Sequence, residues 1–432
     1  MASFDIEPSF AAKLDWVRGF VVDEIESLDV LLGSEDVIYD KTHPIHANVI
    51  RPLQDRVRDE GLWSCHLTPE LGGQGYGQVH LAYLNEILGR SAFAPSVFGC
   101  QAPDSGNAEI LAHYGTPELK ARYLEPLLRN EIVSAFSMTE PAGGSDPTGF
   151  VTTAVPDGDE WVINGEKWFS SHARFASFLI VLAVTEPDGS PHRRMSMFVV
   201  PSETPGVEII RNVAMFGHSG EGTHAYMRYR DVRIPADHLL GERGGGFAVA
   251  QTRLGGGRIH HAMRTVGMAR RALEMMLERA VSRRTQGEVL ARKQLVQEMV
   301  ADSWLELEQF RLLVLQTAWK IDRYHDYQRV RGDIAAVKVA MPAVLKNIAS
   351  RALQVHGSLG ISDEMPFMHM IVNGYHVGIA DGPTEVHKTT LARGLLSRAE
   401  PAPGLFPTYH RPLLKDQALK KYADVLARHG RS

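Results

Sequence analysis

The chain has 432 residues, of which 44% are hydrophobic and 22% charged, with a formal net charge of −5. That balance gives no electrostatic reason for nucleic acid or an anionic membrane as partner, and the length has room for about two or three domains. Only two cysteines occur, Cys65 and Cys100, in no CxxC pair; this argues against a disulfide framework or a cysteine metal site and favours a reducing compartment.

The N-terminal MASFDIEPSF carries early acids and no apolar signal core, so the expectation is a cytoplasmic protein. Residues 1–133 read as a helical domain. LAYLNEILGRSA and NAEILAHYGTPELKARYLEPLLRNE place apolar residues three and four apart. In the second run Gly115 ends one helix, and Thr116-Pro117 starts the next with a Thr cap and Pro at its first position.

From 134 to 242 the period falls to two. EWVINGEKWFSS, SFLIVLAVTE, RMSMFVVPS, VEIIRNVA and THAYMRYRDVRIP are short, rich in β-branched and aromatic residues, and separated by turns such as PDGDE. Strands in a row without helices suggest a compact β-barrel or sandwich. Its longest apolar run, FLIVLAV at 178–184, falls short of the roughly 20 residues of a membrane span.

From 243 to 400 helical spacing returns. Ile259, Met263, Val266, Leu273 and Met276 mark one long apolar face, and Leu295, Met299, Trp304, Leu312 and Trp319 a second. Residues 333–356 give a third, which Pro342 is expected to kink. Long helices apolar on more than one side suggest a helical bundle that also packs on a partner subunit. PAPGLFP breaks this pattern, and residues 401–432 read as an extension with one basic amphipathic helix. The fold class is therefore α+β multidomain. Neither a βα alternation nor a GxGxxG after a strand is present, so a doubly wound nucleotide fold is excluded.

Two stretches at the helix-to-strand border carry possible chemistry. In SMTEPAGGSD at 137–146, Thr139 and Ser145 offer hydroxyls, and Gly143 and Gly144 let backbone approach a ligand, though the stretch alone could be a polar loop. In INGEKWFSSHA at 163–173, Trp168 could cover a flat ring and Ser170 could donate to its edge, although a lone strand Trp more often packs in a core.

Together these stretches resemble the flavin-binding signatures of the acyl-CoA dehydrogenase family. PELGGQGYG at 69–77, RRTQGEVLARKQ at 283–294 and QVHGSLGIS at 354–362 resemble further family segments in the family's order. The resemblance spans about residues 10–400. It implies N-terminal helices, a middle β-barrel domain, a C-terminal four-helix bundle and a homotetramer or homodimer. It implies FAD held by Phe136, Met138, Thr139, Trp168 and Ser170, with Arg283, Thr285, Gln294, Gln354 and Gly357 contributing from the bundle; the 283–294 segment would reach the FAD of a neighbouring subunit and the 354–362 segment the adenosine diphosphate part. Gln286 stands where the family usually has Phe, and VNG at 372–374 where it usually has an Arg-Asp segment.

GIADGPTEVHKTT at 378–390 interrupts the helical part with Asp-Gly-Pro, a turn signal by itself. Most family members have Glu-Gly-Thr there, and that Glu is the base that takes a proton α to a thioester carbonyl. The resemblance therefore makes Asp381 the candidate base, in a branch similar to human family members ten and eleven. Ser145, Arg258 and Gly382 would lie at the acyl-CoA substrate; Arg258 reads equally well as a surface charge at a helix start. A few members carry their base on the first bundle helix, but RLGGGRIHH at 253–261 has no carboxylate. The implied activity is α,β-desaturation of an acyl-CoA, with electrons passed to an electron-transfer flavoprotein. The alternative is a flavin oxidase of the nitroalkane-oxidase type with Asp381 as base and Lys388 as its positive partner. A flavin-binding scaffold without activity is the third reading.

Overall fold

The computed structural model describes residues 4–32, 36–69, 73–215 and 221–430, so part of the PELGGQGYG turn, Glu70 to Gly72, lies outside the described residues. Met1–Lys388 form one compact unit and Thr389–Ser432 a second. In the first, the N-terminal period becomes α1 (Pro8–Phe20), α2 (Arg51–Asp59), α3 (Gln78–Leu88) and α4 (Asp104–Tyr114), with shorter helical turns between. Thr116 caps the next short helix as expected, its hydroxyl accepting from the Leu119 N–H at 3.2 Å. α3 is capped from far along the chain: the Asp322 carboxylate accepts from the N–H groups of Gln78 at 2.6 Å and Val79 at 2.9 Å.

The strands are β1 (Ser134–Ser137), β2 (Thr153–Asp157), β3 (Glu160–Ser171), β4 (Phe178–Val184), β5 (Met195–Pro201), β6 (Val207–Val213), β7 (His224–Pro235) and β8 (Leu239–Leu240). They form one sheet in the order β6-β7-β3-β2-β4-β5-β8, with β1 parallel to β4. Three strands of this sheet, β1, β2 and the two-residue β8, escaped the sequence reading. β1 enters the stretch read as a polar loop, and β2 is short and carries Pro156. β4 is apolar throughout because both its faces are covered. Phe178, Ile180, Leu182 and Val184 pack with Leu111, Leu124 and Val249, while Leu179, Val181 and Ala183 pack with Phe198, Tyr229 and Val232.

The C-terminal part comprises α5 (Gly246–Ser282), the small hairpin β9 (Arg284–Thr285) and β10 (Glu288–Val289), then α6 (Gln294–Tyr324), α7 (Arg331–His356), α8 (Phe367–Ile379) and α9 (Thr384–Leu396). α7 runs through Pro342 as one helix. Phe10, Val17 and Ile25 share a single apolar core with Met263, Val266, Phe310 and Leu345. The extension holds two helices rather than one, α10 (Arg411–Lys421) and α11 (Ala423–Arg428), parted at Tyr422, and no described residue of either is buried.

Candidate active site

α8 stops at Ile379 because its end is capped by a cation. Lys338, buried on α7, donates its ammonium to the carbonyls of Val377 and Ala380, the latter at 2.6 Å. Carbonyls that a helix end leaves without partners are thereby satisfied. Burial pushes Lys338 down to about 8, against the favourable pull of Asp381. The next two residues adopt left-handed backbone, Asp381 at φ 56° and Gly382 at φ 103°. Asp tolerates that region; at Gly382 a Cβ would also stand 2.9 Å from His387 Nε2.

Arg258 Nε donates to the Asp381 carbonyl at 2.9 Å, and His387 Nε2 sits 3.3 Å from the same oxygen. The backbone of Asp381 is thus clamped while its carboxylate accepts no hydrogen bond from a described residue. His261 Nε2 stands 3.6 Å from Oδ2, beyond good hydrogen-bond reach. Burial pushes the Asp381 carboxyl up, but His261, Arg253, Lys338 and Arg258 outweigh it and hold the group below its ordinary 3.8. Lys388 is exposed, and the cations acting on Asp381 come from α5 and α7 instead.

Three successive glycines in the middle of α5 form the floor of this site. A Cβ at Gly255 would lie 3.5 Å from the Tyr327 ring, one at Gly256 3.2 Å from the Glu109 carboxylate, and one at Gly257 3.3 Å from Asp381 Oδ2. Each glycine costs helix stability, roughly 0.5–1 kcal/mol against alanine, and each cedes its side-chain volume to a functional group. Burial pushes Glu109 up to about 7, with Arg253 opposing. Arg253 is itself buried: its Nε donates to Asn107 Oδ1 at 3.0 Å, and its guanidinium lies 3.9 Å from the Phe136 ring centroid. Glu109, Arg253, His261, Tyr327 and Lys338 were not singled out from sequence. The triple glycine was the available signal, since a long helix keeps such a run only where something must come close.

On the sheet side, the two flavin-like stretches are tied together. The Trp168 N–H donates to the Thr139 carbonyl at 2.8 Å, and the buried Lys167 ammonium meets Glu140 Oε1 at 2.9 Å and the Met138 carbonyl at 2.8 Å. Glu140 also accepts from the N–H groups of Val151 at 2.8 Å and Thr152 at 2.9 Å. Phe136, Met138 and Thr139 are half-buried, Trp168 likewise, and the Gly143-Gly144-Ser145 turn is exposed. β1 pairs with β4; Phe136 on it and Met138 just after it pack against the cluster of Leu111, Ile180 and Val249 and stay half-buried, an apolar surface beside main-chain polar groups. Such a face fits a flat heteroaromatic ring. Ser170 has a different placement from the one expected for its hydroxyl. β3 is bulged between Lys167 and Ser170, with Phe169 at φ 57°, and the extra residue turns Ser170 inward. There its hydroxyl lies 2.8 Å from that of Ser137, fully buried.

Arg283, Thr285, Gln294, Gln354 and Gly357 are all exposed and lie apart from the Asp381 turn. Arg283 follows the far end of α5, roughly 40 Å from Gly257 by helix rise. Gly357 takes φ 65° to end α7, a conformation that favours glycine. Among the described residues no group of three or more His, Cys, Asp or Glu could hold a metal ion, and no helix is long and apolar enough to cross a membrane.

A carboxylate that is clamped through its backbone and set against bare helix, together with two tied stretches at the sheet, suits an oxidoreductase site of the flavoprotein kind. Models of the N-terminal, middle and C-terminal domains of acyl-CoA dehydrogenase match residues 15–131, 135–232 and 244–396. "Probable acyl-CoA dehydrogenase FadE2" of Mycobacterium tuberculosis is 44% identical over 356 residues, covering 81% of this chain and 86% of that protein. Acyl-CoA dehydrogenase family member 11 of Mus musculus is 43% identical over 354 residues, covering 81% of this chain but 45% of that protein, so the chain spans less than half of this relative. A solved structure described as "a putative acyl-CoA dehydrogenase from Mycobacterium abscessus" superposes with TM-score 0.84 at 37% identity, covering 91% of this chain and 99% of that one. The chain belongs to the acyl-CoA dehydrogenase family, whose members are flavin-dependent oxidoreductases.

Proposed function

We propose that the protein is an FAD-dependent acyl-CoA dehydrogenase in which Asp381 removes the α proton of an acyl-CoA thioester. The observation that carries this reading is the Asp381 carboxylate itself, which accepts no hydrogen bond from a described residue while its backbone is held by Arg258 and His387. The neighbouring positive charges keep it ionised at neutral pH. A base must reach its proton without first breaking a strong bond of its own. Among the described residues the Asp381 N–H donates to no backbone carbonyl, which suits it to hold a thioester oxygen as charge develops there. A bound FAD supplies the two-electron acceptor for hydride leaving the β carbon.

Phe136, Met138, Thr139 and Trp168 would hold the flat ring of the FAD, Ser170 through its main chain. Arg283, Thr285, Gln294, Gln354 and Gly357 would serve the cofactor of a second subunit, because within one protomer Arg283 is too far from Asp381. Ser145, Arg258 and Gly382 would border the substrate. The reduced protein would pass its electrons to an electron-transfer flavoprotein.

An anaerobic titration of the purified flavoprotein with acyl-CoAs of graded length and branching tests the reading. Bleaching of the flavin band by one class is the expected result. Asp381→Asn should keep the flavin and slow that bleaching by about 10²–10⁴-fold. Bleaching by a nitroalkane and by no acyl-CoA would favour the oxidase alternative.

A further inference from the structure

Asp381 has a neighbour that the desaturation reading leaves unused. One helical turn beyond Gly257, α5 presents His261 on the same face. Its Nε2 stands 3.6 Å from Asp381 Oδ2, and the imidazole is the more open of the two side chains, 28% exposed against 19%. At that separation the ring does not tether the carboxylate through a good hydrogen bond. Nor is it a counter-ion at neutral pH. Burial pushes it down to about 4 against the pull of Asp381, with Arg264 on its own helix, Lys338 from α7 and His376 from α8 all opposing a further positive charge. At neutral pH the ring is therefore an uncharged acceptor, placed between an enclosed acid and the outside.

We propose that His261 is the proton exit of Asp381. The inference rests on Asp381 being the base, and it adds what happens to the proton afterwards. Once the carboxyl holds the α proton, its O–H bond breaks and an N–H bond forms at Nε2 of a ring already protonated at Nδ1. The imidazolium then releases the Nδ1 proton to solvent, so one proton enters and one leaves. The nearby Arg264 and Lys338 keep the imidazolium short-lived. His261 acts through Asp381 and is a positioning and proton-carrying residue rather than a base toward substrate.

The test uses the flavin-loaded protein with a 3-thia analogue of the acyl-CoA that bleaches it. Sulfur at the β position blocks oxidation but leaves the α proton removable. Two signals are read in D2O: the long-wavelength absorbance of the enolate beside the flavin, and α-deuterium in the recovered analogue by NMR. In wild-type protein both should appear. In His261→Gln and His261→Asn the enolate band should persist, α-deuterium incorporation should fall at least about tenfold, and added imidazole should restore it. Unchanged incorporation in both variants would overturn the proposal. So would a fall that accompanies a lost band and resists imidazole, which is the signature of a merely structural role. Absence of the band in the wild-type protein would instead refute Asp381 as base, and this inference with it.

Discussion

Asp381 Oδ2 lies 3.3 Å from the point where a Cβ on Gly257 would stand. The carboxylate and the bare helix are fitted to one another, and each constrains what the other can be. Gly257→Ala separates the two roles of this glycine. In the middle of a helix alanine is favoured by about 0.8–1.0 kcal/mol, so the melting temperature should hold or rise. The methyl group would nonetheless push the carboxylate aside. Flavin reduction by acyl-CoA should slow about tenfold or more. A variant that is stabilised and equally fast would show that the contact has no role in placing the base.

Lys338 is the second support of that turn. Lys338→Met would leave the Val377 and Ala380 carbonyls, now bonded to the ammonium, without a partner in the interior. The expected loss of stability is about 1–3 kcal/mol, read from denaturant unfolding. The rate of flavin reduction should fall with it, because the left-handed step at Asp381 begins where the capped helix ends.

Glu109 makes stability depend on pH in a direction opposite to most carboxylates. Its folded value near 7 lies above its ordinary 4.5. Below 4.5 both folded and unfolded chains hold the proton. Between 4.5 and 7 the unfolded chain releases it while the folded protein keeps it, so this group's stabilisation is lost as pH rises through that window. Thermal melts from pH 5 to 8 should show Glu109→Gln losing less stability toward the alkaline end than the wild type. Parallel curves would place Glu109 in a more polar setting than the one described.

The ion pair of Lys167 with Glu140 joins the two flavin-like stretches, and both side chains are buried. Lys167→Met strands a buried carboxylate and should cost about 3–5 kcal/mol. Flavin content after purification should drop as well, since the same ammonium holds the Met138 carbonyl. Full flavin content at lowered stability would mean that the pair supports the sheet alone.

The broad architecture was legible because hydrophobic period survives in sequence. Strands β3 to β7 fall where alternation of two was seen, and the long helices where spacing of three and four was seen. β1 was hidden because its four residues Ser134–Ser137 run into Gly- and Pro-rich sequence. The inward turn of Ser170 was not legible, because a bulge resets inward and outward by one residue and leaves no mark in sequence. Asp381 was legible only through resemblance. The residues whose charges act on its carboxylate, Lys338 and Arg253 among them, lie tens of positions away in sequence, and no local pattern announces that they converge.

The shared core of the two helical parts has a consequence in time. Phe10, Val17 and Ile25 belong with Met263, Phe310 and Leu345 in one apolar cluster. On the ribosome the early helices emerge long before their partners exist. At about 5–20 residues per second, the wait between Phe10 and Met263 is roughly 10–50 s. Throughout that interval the N-terminal helices must carry an uncovered apolar face, so a nascent chain halted after the sheet is a ready client for a chaperone, while the released full-length protein is not.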